Sequence, residues 1–148
     1  MKNKKRNLII GIIIIFFTIS AVTVVLALNN NNTATSPAEM LSLGERFLLE
    51  LNFEQALVQF LGVIEIEPNN AQAHLGAAAA YVGLGQNDRA VAILRQGLER
   101  TGDEDIARAW IEIGEAAGQD LSLVFITIAD ILIDFGNTPL AISVYAEK

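Results

Sequence analysis

Residues 36–69 read SPAEMLSLGERFLLELNFEQALVQFLGVIEIEPN, and residues 70–102 read NAQAHLGAAAAYVGLGQNDRAVAILRQGLERTG. Laid over each other with a shift of 34, the two segments agree in kind along their length. Gly44 falls on Ala78, Phe47 on Tyr81, Ala56 on Ala90, Leu57 on Val91, Phe60 on Leu94 and Ile64 on Leu98. Pro68 falls on Gly102, and both residue types end helices. A period of this length marks a repeat architecture. In such chains each unit is one supersecondary element that hides its apolar side only by stacking on the next.

Local signals point the same way. Ser36-Pro37-Ala38-Glu39 is a capping box with proline at the first helical position. Asn52 with Gln55, and Asn69 with Gln72, repeat that spacing at the next two expected helix starts; Asn87 precedes a fourth, and Thr138-Pro139 opens the last. Gly85, Gly102, Gly118 and Gly136 stand where helices should end. The reading is all-α, with helices at about 38–50, 54–67, 71–84, 88–101, 105–117, 121–135 and 138–147. Connections of about two to five residues make neighbours antiparallel. Residues 121–135 (LSLVFITIADILIDF) are apolar nearly all round. A strand or a second membrane span are the alternatives there. Asp130 and Asp134 in so short a run make a poor span, and a buried helix is expected.

The first copy contains Met40-x-x-Leu43-Gly44-x-x-Phe47, then Ala56-x-x-x-Phe60, then Pro68. The second contains His74-x-x-Ala77-Ala78-x-x-Tyr81, then Ala90-x-x-x-Leu94, with Gly102 in place of proline. This pattern resembles the tetratricopeptide repeat family. A looser match follows at Phe125-x-x-Ile128-Ala129-x-x-Leu132 and Ala141-x-x-x-Tyr145, one and a half periods after the second. The expected organisation is repeats at about 37–70 and 71–104, an extra helix at 105–118 and a partial repeat at 122–148. The resemblance implies a solenoid of helical hairpins whose concave face, lined by the first helix of each pair, holds a peptide. By analogy that groove would present Leu41, Glu45 and Leu48 from the first repeat, and Gln72, Leu75, Ala79 and Val82 from the second. Family members that grip a C-terminal carboxylate do so with Lys, Asn and Arg. The matching positions here carry Leu41, Glu45 and Gly76, so that clamp is absent. An apolar groove with an acidic rim suits an apolar or basic helical segment.

Outward from the repeats, Leu8 to Leu28 is an uncharged run of 21 residues. As a helix it would measure roughly 31 Å, about the hydrocarbon thickness of a bilayer. Lys2, Lys4, Lys5 and Arg6 precede it, and the next basic residue is Arg46. That asymmetry predicts a single transmembrane helix within residues 1–28, a cytoplasmic N-terminus and an extracytoplasmic repeat domain. Residues 29–36 are a polar linker. The competing reading is a cleaved signal peptide and a secreted domain; the apolar run exceeds the usual core of about 7–15 residues, which favours the uncleaved anchor. Past Leu28 the remaining six basic residues face all seventeen acidic ones, a net charge of −11. So acidic a domain repels phosphate backbones and anionic headgroups, which excludes nucleic acid as the expected partner.

Little in the chain suggests chemistry. There is no cysteine, so disulfides, thiolate metal sites and a thiol nucleophile are excluded. His74 is the single histidine and occupies a large-residue repeat position, where a packing role is expected. Gly83-x-Gly85 precedes a helix start but follows no strand, and Asp88 takes the place of the next glycine of a phosphate-binding fingerprint. Asp103-Glu104-Asp105 lacks the alternating spacing of a calcium loop and suits a helix N-terminus. Glu112 and Glu115 read as solvated charge, and Trp110 as core. No cofactor, metal site or catalytic residue is expected. The expected function is a membrane-anchored, non-enzymatic scaffold that binds a protein segment. A self-associating scaffold, or the anchor and docking portion of a longer protein, are the rivals.

Overall fold

The computed structural model describes residues 35–146, the side chain of Tyr145 excepted. Among them the regular structure is entirely helical. The seven helices are α1 (Pro37–Leu49), α2 (Phe53–Ile66), α3 (Ala71–Gly83), α4 (Asn87–Thr101), α5 (Glu104–Ala116), α6 (Leu121–Asp134) and α7 (Thr138–Ala146). Their bounds fall within one or two residues of those read from the sequence. Among the described residues no helix is long and apolar enough to cross a membrane. The anchor expected within residues 1–28 and most of the linker lie outside the described residues.

The helix starts keep the expected capping box at Ser36 and differ from the expected caps at the next three starts. Ser36 forms its capping box: the Glu39 N–H donates to Ser36 Oγ at 3.2 Å, and the Ser36 N–H donates to Glu39 Oε2 at 3.0 Å. Asn52 precedes α2 without a side-chain cap bond; its N–H is spent on the Phe47 carbonyl in the turn before. Asn70, rather than Asn69, caps α3 by accepting from the Ala73 N–H at 3.0 Å. Helix α4 starts at Asn87 itself, behind Gln86, with no side-chain cap. The Asp103 carboxylate accepts from both Asp105 and Ile106 N–H groups, which explains the acidic cluster as a cap. Asp120 caps α6 through the Ser122 N–H.

One turn recurs at four helix ends. Gly85 N–H donates to the Val82 carbonyl and Gln86 N–H to the Tyr81 carbonyl. The same pair of bonds recurs at Leu51 and Asn52, at Gly118 and Gln119, and at Gly136 and Asn137. These two-bond closures satisfy carbonyls that a helix end leaves orphaned, and they require a left-handed residue. That residue is Leu51 (φ 57°), Gly85 (φ 70°), Gly118 (φ 71°) and Gly136 (φ 75°). Leu51, Gly85 and Gly118 follow one another at steps of 34 and 33, so the hairpin rhythm continues past the second repeat.

The helices pile in two layers. Each packs on its sequence neighbour, α3 also touches α1 and α5, and α4 touches α6. Helix α7 packs on α6, with Leu140, Ser143 and Val144 facing Ala107 and Ile111 of α5. Helix α3 (AQAHLGAAAAYVG) lies between two apolar clusters. Its Ala73, Ala77 and Ala80 join Ala56, Phe60, Val63 and Ile64. Its Ala78 joins a larger cluster with Leu94, Leu98, Ile106, Trp110, Ile128 and Leu132. Small side chains on both flanks let neighbouring helices approach closely from two sides. Helix α6 buries Val124, Phe125, Ile128, Ala129 and Leu132 but leaves Leu123, Ile133 and Phe135 exposed. Its apolar character is thus only half used by the core.

The recurrent turn makes a prediction of opposite signs. Leu51 holds a left-handed backbone that costs a side chain roughly 1–2 kcal/mol, and it is 73% exposed, so its side chain contributes little burial in return. Leu51→Gly should raise the unfolding free energy by about 1 kcal/mol, whereas Gly85→Ala at the equivalent position should lower it by about the same amount. Urea titration followed by circular dichroism measures both.

Candidate interaction surface

The sequence-expected groove residues lie on α1 and α3, which neighbour each other in one layer. Gln72 Nε2 on α3 donates to Glu45 Oε1 on α1, so the polar members are tied together across the two helices. Leu41 and Leu48 are half-buried against the first apolar cluster, and Leu75 is half-buried against the second. Ala79 is exposed, and Val82 is 42% exposed. The row Leu75, Ala79, Val82 therefore rises from the core toward solvent along α3. Gly76, one of the three positions where a carboxylate clamp would stand, lies over Phe60: a Cβ built on it would come within 2.4 Å of that ring.

The same layer continues onto α5. A shift of 33 places Arg108, Glu112 and Glu115 at the register positions of Leu75, Ala79 and Val82. All three are exposed. Arg108 forms an ion pair with Glu104 one turn earlier, which leaves the face acidic at this end. Sequence reading treated Glu112 and Glu115 as solvated charge unconnected to the groove. The signal that would have joined them to it is the 33-residue step from Gly85 to Gly118.

The residues weighed for chemistry take structural places. His74 is fully buried, and its Nε2 lies 3.0 Å from the Pro68 carbonyl. Since a carbonyl only accepts, that nitrogen carries the proton and donates; Nδ1 has no hydrogen-bond partner. The bond ties α3 to the turn that ends α2. Among the described residues no group of three or more His, Asp or Glu side chains could hold a metal ion.

Several concavities border the helices, two of them between helix pairs late in the stack. One, of about 360 Å³, opens between α4 and α6 and includes Trp110 of α5 in its lining. Another, of about 130 Å³, lies between α5 and α7 and is lined by Ile111 and Leu140 among others.

The family model described as Tetratricopeptide repeat matches residues 47–111. The match begins in the last turn of α1 and ends inside α5. No curated protein matches the chain. The family match, which covers fewer than half of the residues, and the stacked helices support tetratricopeptide-type repeats, a fold that suggests a role in protein–protein interaction.

Proposed function

We propose that the chain is a non-enzymatic docking scaffold that captures an apolar, basic helical segment of a partner protein on the α1–α3–α5 layer. The observation that carries this reading is the exposed row Ala79 and Val82 beside the acidic pair Glu112 and Glu115. Apolar side chains of the segment would lie on α1 and α3, and its basic residues would meet Glu45, Glu112 and Glu115. Apolar burial supplies affinity at roughly 25 cal/mol per Å² before association costs. The carboxylates supply orientation and a faster encounter, at a strength that falls with salt. No covalent step is involved, and no cofactor is needed.

Residues 8–28 would hold this scaffold at a membrane, with the repeats on the extracytoplasmic side. That part of the proposal rests on the length of the apolar run and on the basic residues before it. A second reading is favoured by a separate observation. The first hairpin exposes Leu49 at 86%, Leu51 at 73%, Val58 at 65% and Ile66 at 57%. Apolar exposure on that scale at one end of a stack suits association with a second copy.

A photo-crosslinking residue at Ala79 should capture a partner in intact membranes, and one at Glu99, on the other layer, should not. Leu75→Glu should abolish capture without changing helical content. Val82→Glu, at a more exposed position, should weaken it by about tenfold, one lost apolar contact plus one like charge. Capture that persists undiminished in both variants would reject this face. A stable dimer in sedimentation, dissociated by Val58→Lys and not by Val82→Glu, would favour the second reading.

A further inference from the structure

Charge and apolar exposure are divided between α2 and α4, the second helices of the first two hairpins. Helix α4 holds Arg89, Arg95 and Arg100, half of the basic residues past Leu28, against Asp88 and Glu99. Among the described residues it is the one helix with a net positive charge. Helix α2 holds Glu54 and Glu65 and no basic residue. Between those acids Val58 and Leu61 are exposed. Glu54, Val58, Leu61 and Glu65 follow an i, i+4, i+7, i+11 spacing and form one stripe on the helix surface. Among the described residues neither acid has an ion-pair partner, and neither has Arg100. Arg95 is engaged with Glu99 at 3.7 Å, and Arg89 donates to Gln86 Oε1 at 3.0 Å.

The two helices match in spacing. Glu54 and Glu65 stand 11 residues apart, and so do Arg89 and Arg100. Eleven residues are about three turns, roughly 16 Å along the axis, so each pair shares a face. Ala92, small and exposed, lies between the arginines as Val58 and Leu61 lie between the acids. Within one copy α2 and α4 both pack on α3 and run the same way, with these residues left open to solvent. A two-fold rotation about an axis parallel to the helices lays α2 of one copy along α4 of the other, in the same direction and at the same level. Glu54 then meets Arg89, and Glu65 meets Arg100. Val58 and Leu61 cover Ala92 and the stem of Arg95, and Glu99 is offset by its own Arg95. The symmetry makes every contact twice.

We propose that the chain pairs with a second copy of itself through α2 and α4, each α2 lying on the other's α4. The inference rests on the self-association reading above and gives it a face and a register; it is independent of segment capture on α1–α3–α5. Charge selects this face. Past Leu28 each copy carries −11, so two copies repel across most of their surface. The repulsion is least where the arginines of α4 come to the acids of α2, and like charges disfavour the other arrangements. Apolar contact sits at the centre of the interface and charge at its rim. The α1–α3–α5 layers of both copies stay free, so a pair would present two capture faces and gain avidity for a partner with two segments.

The full chain in detergent is examined by sedimentation equilibrium. Glu65→Arg and Arg100→Glu, both exposed changes, should each weaken dimerisation by at least about tenfold with helical content unaltered. The double variant, which exchanges the two charges, should return to within about threefold of the original chain. The chain has no cysteine, so introduced thiols are the only ones. Under mild oxidation a mixture of Val58→Cys and Ala92→Cys chains should form a disulfide-linked pair, and either variant alone should form far less. A crosslinking group at Glu99 should return the doubled mass of the chain and no other protein. The proposal is overturned by a monomer at all concentrations, by a double variant no better than the single ones, or by a disulfide that forms as readily from one variant alone. A dimer indifferent to both charge reversals but lost in Leu49→Lys would keep self-association at the end of the stack and overturn this face.

Discussion

The ring of Phe60 sits where two backbones pass close by, and the stack depends on that passage. A Cβ on Gly44 of α1 would come within 2.8 Å of the ring, and one on Gly76 of α3 within 2.4 Å. Phe60 itself is 1% exposed and so has nowhere to retreat. Glycine on both sides lets α1 and α3 converge on a single aromatic of α2, and this convergence brings the face with Glu45 and Gln72 into being. Interiors at crystal-like density transmit such constraints instead of absorbing them. The position of α1 relative to α3, and hence the spacing of any groove residue, follows from that one wedge.

Function grows from the same geometry by subtraction. The helices that cross at Gly44, Gly76 and the alanines of α3 spend their small residues on each other, and their larger ones are left either in the core or on a face. On α1 and α3 the leftover face is apolar with one acidic hydrogen bond; on α5 it is charged. A surface graded in this way can orient a bound segment, because only one direction matches apolar to apolar and cation to carboxylate. The buried histidine is bonded to a carbonyl, and the Asp103 and Asp120 carboxylates at helix starts accept from backbone N–H groups.

Much of this was legible in the sequence, because the 34-residue step, the glycines and the apolar spacing all act locally. Seven helices and their bounds follow from them. The caps were read less well. Asparagines occur in pairs or beside another polar residue at 69–70 and 86–87, and the choice between neighbours depends on the preceding turn's bonds, which spacing alone does not fix. The sequence placed its candidate groove residues on α1 and α3, and their register continues onto α5, which the sequence did not join to them. There Trp110 and Gly114 exchange large for small relative to Ala77 and Tyr81, so a search for the pattern by residue size finds a mismatch at each place. The turn at Gly118 preserves the rhythm that those side chains conceal.

The wedge at Phe60 can be tested by the sign of one free-energy change. Alanine is a better helix former than glycine by about 1 kcal/mol, so Gly76→Ala in a helix free of tertiary constraint would stabilise the chain by that amount. With the ring of Phe60 against it, the added methyl should instead lower the unfolding free energy by about 1–3 kcal/mol, as overpacking does. The loss should shrink when the same change is made in a Phe60→Leu background. Equilibrium urea unfolding of Gly76→Ala with and without Phe60→Leu measures this directly. A loss relieved by the smaller side chain is the predicted result; a gain in stability from Gly76→Ala alone would contradict the account.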